Sequence, residues 1–233
     1  MKIKHLQKTT LIDFPGKISC TVFLYSCNFR CGFCHNPELV KQDTLPDIPK
    51  EEVLDFLNKR KALLEGVCFT GGEPLLTLEK GFLQKIKGMG YFIKLDTNGS
   101  FPEKMQELLQ SGLIDFVSMD IKTAPDKYSA LTNSDVETKK IEQSIRLISG
   151  SDINYEFRTT VLMSHHDEKT VQGMLEWVHG ISGKISCFVL QGFKNSGKLM
   201  SKEYSKENNT TETHLKSLKK ITLPYCKNVQ IRN

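Results

Sequence analysis

Cys27-Asn28-Phe29-Arg30-Cys31-Gly32-Phe33-Cys34 follows directly on the apolar run Ile18–Tyr25. That run reads as a β-strand, so three thiols at C-x-x-x-C-x-x-C spacing stand in one tight loop at a strand's end. So many soft ligands in so little chain point to a metal site rather than to packing. Three cysteines can hold three irons of a cubane cluster and leave the fourth iron open to a small molecule. The alternative is a structural zinc loop that takes His35 or a distant thiol as its fourth ligand. Zinc loops usually combine two C-x-x-C pairs, or one pair with H-x-x-x-H, and this spacing is neither.

Outward from that stretch, β-branched apolar runs alternate with helical patterns. Strands are expected at Gly66–Thr70, Tyr91–Leu95, Ile114–Ile121, Ile153–Leu162 and Lys184–Leu190. Between them, Pro49 opens a helix with Val53, Leu54, Leu57 and Leu64 near the helical period and Glu51 and Glu52 in its first turn. Further helices are expected at Thr77–Lys87, stopped by Gly88 and Gly90, and at Pro102–Leu109, Asp135–Ile148 and Asp167–His179. Six strand–helix alternations predict a parallel sheet with helices outside it. A closed eight-unit barrel takes about 250 residues, whereas this chain of 233 offers six units. The expected fold is therefore an open, partial (β/α)6 TIM-like barrel. One domain is expected over residues 1–233, with its core at 16–193. The polar stretch Lys194–Thr213 reads as loop or partly disordered, followed by a short helix, Glu212–Lys220, and an edge strand, Val229–Ile231.

Composition narrows the function classes. Hydrophobic content of 39% and charged content of 25% are ordinary for a globular protein, and the net charge of +5 is spread along the chain. No dense basic block marks a nucleic-acid footprint, and no apolar stretch approaches the ~18 residues of a membrane span. The N-terminus lacks a signal-peptide core. Seven cysteines, an odd number with three in one loop, argue against a secreted disulfide framework. A cytoplasmic location is expected. Cys20, Cys68 and Cys187 lie in apolar, strand-like runs, where a free thiol is a small hydrophobe.

The polar features fall at the carboxyl ends of the expected strands, where parallel α/β barrels bind ligands. The thiols follow the first, and Thr70-Gly71-Gly72-Glu73-Pro74 follows the second. Asp96-Thr97-Asn98-Gly99 follows the third, Asp120-Ile121-Lys122 ends the fourth, Arg158 lies on the fifth and Gln191-Gly192-Phe193 ends the sixth. Adjacent glycines let a backbone approach a ligand closely or adopt positive φ, and Glu73 offers an acceptor to an ammonium group. The other reading is a tight turn with Glu73 in solvent. Asp96 and Asp120 could hold a hard cation or cap turns. Lys122 and Arg158 could neutralise a carboxylate or pair with these aspartates. His165-His166-Asp167 reads as solvated loop before a helix, with Asp167 as N-cap.

With these motifs in order, the chain resembles the radical S-adenosylmethionine enzymes, whose cluster motif is C-x-x-x-C-x-Φ-C with Φ aromatic. Cys27, Cys31, Phe33 and Cys34 match it, and Gly71-Gly72-Glu73-Pro74 matches the second family motif. The resemblance implies one 4Fe–4S cluster on Cys27, Cys31 and Cys34, and S-adenosylmethionine chelated at the open iron. It gives Gly71, Gly72 and Glu73 the cofactor's amino group and Phe33 its adenine. The cluster and cofactor carry the chemistry, so no separate catalytic side chain is expected. Asp96-Thr97-Asn98-Gly99 and Asp120-Ile121-Lys122 look like segments of glycyl-radical-enzyme activases. This implies that Asp96, Thr97 and Asp120 are ligands of the cofactor or of a monovalent cation, with Lys122 and Arg158 as charge partners. Phe193 stands where formate-lyase activases place a histidine over the cofactor. Thr9–Lys17 and Cys34–Leu39 resemble the anaerobic ribonucleoside-triphosphate reductase activating proteins. That branch implies a glycyl radical enzyme, the anaerobic ribonucleotide reductase, as protein substrate and a flavodoxin- or ferredoxin-type electron donor. Other readings are activation of a different glycyl radical enzyme, a small-molecule enzyme such as a deazapurine-forming synthase, or a non-catalytic zinc-binding interaction module.

Overall fold

The computed structural model describes residues 1–233, which fall into two compact units. The first comprises Met1–Asn28, Glu38–Thr97 and Glu103–Val117. It holds β1 (Ile3–Thr10), β2 (Ser19–Leu24), α1 (Lys50–Arg60), β3 (Gly66–Gly71), α2 (Lys80–Gly88), β4 (Phe92–Thr97) and most of α3 (Pro102–Gln110). Strand order follows chain order. β2, β3 and β4 are parallel, with Val22 opposite Phe69 and Cys68 opposite Lys94.

Strands covered on both faces are apolar almost throughout, and Cys20, Val22, Leu24, Val67, Cys68, Phe69, Ile93 and Leu95 are fully buried. Val53 and Leu57 of α1 and Leu83 and Ile86 of α2 complete this core, and Phe82 meets Phe69 edge-on at 6.1 Å. β1 was not expected. It pairs antiparallel with β2, and its sequence, Ile3-Lys4-His5-Leu6-Gln7-Lys8-Thr9-Thr10, is mostly polar and half exposed, as an edge strand's is.

The second unit comprises Phe29–Pro37, Asn98–Pro102 and Ser118–Asn233, and β5 (Phe116–Asp120) runs across the division. Here lie α4 (Tyr128–Thr132), α5 (Thr138–Ser149), β6 (Asn154–Val161), α6 (Glu168–Ser182), β7 (Ile185–Gly192), α7 (Glu212–Thr222) and β8 (Cys226–Arg232). β6, β7 and β8 are parallel in chain order, with Phe157 opposite Phe188 and Phe188 opposite Val229. Ile141, Ile145 and Ile148 of α5 and Val171, Met174, Leu175 and Val178 of α6 bury their stripes fully. Trp177 donates its indole N–H to Glu142 at 3.0 Å, tying α6 to α5. Asp167 caps α6 as expected, accepting from the Thr170 amide at 2.7 Å. The stretch read as loop carries a short 3-10 turn, Lys202–Lys206. The fold is α/β with a parallel sheet that is not closed, of the partial TIM-like barrel class. No helix is long and apolar enough to cross a membrane.

Candidate active site

In the first unit, β2 runs into Tyr25-Ser26-Cys27. Ser26 adopts φ +84°, a left-handed conformation uncommon for a side chain bearing a Cβ. Two hydrogen bonds hold it: its N–H donates to Leu39 O and its carbonyl accepts from the Glu73 amide, both at 2.8 Å. Gly72 explains the approach. A Cβ there would lie 2.0 Å from Ser26 O, and one on Gly71, at φ +116°, would lie 2.5 Å from Leu24 N and O. The glycine pair therefore fits the end of β3 against the backbone that delivers Cys27. Gly71 takes the positive φ that the sequence reading allowed, and the backbone that both glycines approach is the chain's own.

Glu73 is fully buried, which excludes the solvent reading. Its Oε1 accepts from the Leu75 amide and from Thr97 Oγ1, each at 2.9 Å, so Thr97 reaches the site through Glu73. Asp96 has a partner that sequence reasoning missed. Lys94, two residues earlier on the same strand and 1% exposed, places its ammonium on Asp96 Oδ1. Cys68 lies 3.7 Å from both groups.

In the second unit, the loop 29–34 is anchored at its start. The Arg30 amide donates to Thr132 O at 3.0 Å and Ser134 Oγ at 2.9 Å, and Phe29 packs edge-on to Tyr128 at 6.5 Å. Cys31 and Cys34 close one turn through a 3.0 Å bond from the Cys34 amide to Cys31 O. Burial pushes the Cys31 thiol up to about 11, against the opposing pull of the Lys122 ammonium. Phe33 is buried, and Tyr204 covers it at 5.9 Å between ring centroids.

Asp120 is bound by two cations, Lys122 at 2.8 Å and the Arg158 Nε–H. Burial alone would raise the Asp120 carboxyl, but the charges of Arg158 and Lys122 outweigh it and hold it far below the usual range. Burial lowers Lys122, and the charge of Asp120 more than restores it, so this ammonium stays protonated. Lys122 and Arg158 do pair with this aspartate, as one of the two sequence readings held. Phe193 is fully buried and packs against His35 at 5.2 Å, the rings tilted by 32°. His35 is exposed and bonds to Lys194 O at 2.7 Å through Nε2; a carbonyl only accepts, so Nε2 carries the proton.

The histidine pair read as solvated loop is not that. His166 is fully buried, its Nδ1 accepting from the Leu162 amide at 3.0 Å. Its Nε2–H must then donate to Lys122 O at 2.8 Å, so it supports the Asp120–Lys122 segment from behind.

The Radical SAM superfamily profile matches residues 21–178, more than half of this chain. The chain belongs to the radical S-adenosylmethionine superfamily. Within it, the chain is 30% identical over 233 residues to a Methanocaldococcus jannaschii protein named as a glycyl-radical enzyme activating enzyme, covering 95% of this chain and 91% of that one. It is 33% identical over 138 residues to the pyruvate formate-lyase-activating enzyme of Clostridium pasteurianum, covering 56% of this chain and 57% of that one. This chain thus spans little more than half the length of that activase. Among solved structures, a domain of the pyruvate-formate lyase-activating enzyme of Bacteroides vulgatus superposes with a TM-score of 0.58 at 22% identity, covering 72% of this chain and 99% of that one.

Radical SAM enzymes use a 4Fe–4S cluster and S-adenosylmethionine. The donor types present suit both. Cys27, Cys31 and Cys34 stand in no disulfide and are soft donors of the kind that hold iron, although the structure does not gather three metal-ligating side chains into one group. Glu73 is an acceptor of the kind an ammonium needs, and Lys122 with Arg158 are cations of the kind a carboxylate needs. At Asp96, one of the places the sequence offered to a monovalent cation, Lys94 supplies a positive charge.

Proposed function

We propose that this chain is the activase of an anaerobic ribonucleoside-triphosphate reductase, generating a glycyl radical on that enzyme. The observation that carries the activase reading is the similarity spanning 95% of the chain to a protein named as a glycyl-radical enzyme activating enzyme. Thr9–Lys17 and Cys34–Leu39 support the reductase as the partner, through their resemblance to that branch.

When bound, the cluster and cofactor supply one-electron cleavage of the sulfonium S–C5′ bond and abstraction of a hydrogen atom from a glycine Cα. The chain's own residues bind and orient. Cys27, Cys31 and Cys34 would hold the cluster, and Glu73 would accept from the cofactor's amino group. Lys122 and Arg158 would attract its carboxylate, with Asp120 fixing both. Phe33 would border the adenine, and Phe193 packs the loop through His35. Glycine suits the reaction because no side chain shields its Cα and its loop bends readily into a barrel mouth. A flavodoxin- or ferredoxin-type protein is the electron donor in this reading.

The test is anaerobic incubation of the reconstituted protein with S-adenosylmethionine and candidate partners, followed by electron paramagnetic resonance. A glycyl radical doublet in the reductase supports the proposal. A doublet only in a formate-lyase-type enzyme reassigns the partner, and cofactor turnover on a small molecule with no partner protein overturns activation altogether.

A further inference from the structure

Past β7, residues 194–207 fold back onto the cluster loop. The Ser201 amide donates to Gly32 O at 2.9 Å, and the Met200 amide donates to Cys34 O at 3.2 Å. A loop with no regular structure has carbonyls to satisfy, and here this segment satisfies two of them, one on a proposed iron ligand. Gly32 is outside the left-handed region, so backbone freedom is not its role. Room is its role: a Cβ there would lie 2.4 Å from the Tyr204 ring. Tyr204 passes over Gly32 and covers Phe33 at 5.9 Å, the two rings inclined by 59°.

The segment is itself braced. Asn195 Nδ2 donates to the carbonyls of Tyr204, Ser205 and Glu207 at 3.3, 2.9 and 3.0 Å, closing the segment on itself. On the far side of Tyr204, His165 stacks at 5.6 Å with an interplanar angle of 23°. Ser164 Oγ–H donates to Glu207 Oε2 at 2.6 Å, so its lone pair accepts from His165 Nδ1–H at 2.7 Å. His165 Nε2 is then the acceptor, and Tyr204 O–H donates to it at 3.2 Å. His165, Ser164 and Glu207 thus fix the ring from behind, where sequence reasoning expected only solvated loop.

We infer that residues 194–207 form a strap that sets the shape of the cluster loop, and that Tyr204 is a positioning residue holding Phe33 for the adenine of the cofactor. This rests on the reading of Cys31 and Cys34 as cluster ligands and Phe33 as an adenine contact. Affinity for S-adenosylmethionine would then be governed by the loop that follows β7.

Two measurements test it. The first is hydrogen–deuterium exchange on the chain before cluster reconstitution, comparing wild type with Tyr204→Ala. An aromatic pair of about 1 kcal/mol corresponds to roughly fivefold in an equilibrium, so exchange in residues 29–36 should quicken about that much while β6 peptides do not change. The second uses reconstituted protein. Tyr204→Ala should raise the KM for S-adenosylmethionine about fivefold by the same reasoning, with kcat for methionine release and iron content near wild type. Tyr204→Phe, which keeps the ring, should recover most of the affinity. If Tyr204→Ala folds poorly, Gly32→Ala displaces the ring from the other side and should raise KM likewise.

Unchanged exchange in residues 29–36 overturns the strap, whatever the kinetics. Faster exchange with unchanged KM in an active enzyme overturns the role of Tyr204 alone. A wild-type protein that cleaves no cofactor overturns the underlying site reading, and this inference with it.

Discussion

Replacing Lys94 by Met keeps the length and packing of the side chain and removes one charge from the interior of the first unit. The ammonium is 1% exposed and rests on Asp96, whose side chain is 12% exposed, with Cys68 beside both. Breaking a buried pair from one side costs about 3–5 kcal/mol, because the remaining charge stays buried without its partner. The residual exposure of Asp96 softens that, so the lower end, about 3 kcal/mol, is the expected loss in urea unfolding of the chain before reconstitution. Lys94→Met/Asp96→Asn removes both charges and should regain most of it, since an uncharged pair of similar volume carries no desolvation cost. A second consequence concerns salt. Wild-type cofactor cleavage should run equally well in choline, sodium and potassium chloride at equal ionic strength. The reasoning fails if Lys94→Met is as stable as wild type, or if potassium or sodium stimulates wild type severalfold over choline.

Gly72→Ala should abolish cofactor cleavage, because the new Cβ meets the Ser26 carbonyl at 2.0 Å and displaces the backbone that carries Cys27; iron content after reconstitution and methionine release are the measurements. His166 is held neutral, its titration pushed down to about 4 chiefly by burial, with His165 and His214 nearby adding to the effect. A depressed folded value leaves stability intact above the unfolded value of about 6.5 and withdraws it as the pH falls towards 4. The loss between pH ~7 and ~5 should be about 2 kcal/mol by urea unfolding, and His166→Gln should flatten that slope. Arg232 holds the buried Glu156 through two bonds of 2.7 and 2.6 Å, so Arg232→Met should destabilise the chain by about 3 kcal/mol in the same assay, and Glu156→Gln should relieve part of that loss.

What was legible in the sequence is what depends on local pattern. Apolar runs such as Phe116–Met119 and Cys187–Leu190 announce strands covered on both faces, and glycine, proline and cysteine mark the loops that follow. β1 was missed because an edge strand with one partner needs little apolar content. Lys94 was missed for a related reason. Within Phe92-Ile93-Lys94-Leu95-Asp96 a lysine reads as the polar side of an alternating strand, and only the pairing with β3, which sets Lys94 opposite Cys68, shows that this face is interior. Tyr204 lies in a stretch whose composition is that of a loop, and its contacts with Gly32 and Phe33 span far more sequence than any local pattern covers. The glycines at 71 and 72 were legible as a place of positive φ or close approach, and Gly71 is at φ +116°; that the backbone they approach includes Leu24 and Ser26 was not, since sequence reports that a backbone comes close without reporting to what.

The spacing of the charges carries its own logic. Successive side chains on a strand alternate faces, so residues two apart share one. Lys94-Leu95-Asp96 on β4 uses this to seat a cation beside its carboxylate, whereas at Asp120, the last residue of β5, Lys122 from the following loop and Arg158 of β6 do so together. The two carboxylates differ in how many cations they meet. In the first unit Asp96 pairs with Lys94, and Glu73 accepts from Thr97 Oγ1. In the second, Asp120 pairs with both Lys122 and Arg158. The methionine end of S-adenosylmethionine carries an ammonium and a carboxylate, for which the proposed contacts are Glu73 and the two cations Lys122 and Arg158. On that proposal Glu73→Gln or Arg158→Met should weaken cofactor binding, whereas Lys94→Met/Asp96→Asn, which removes an internal pair whole, should spare it. Equal losses from the single and paired substitutions would show that the charges serve the fold and not the ligand.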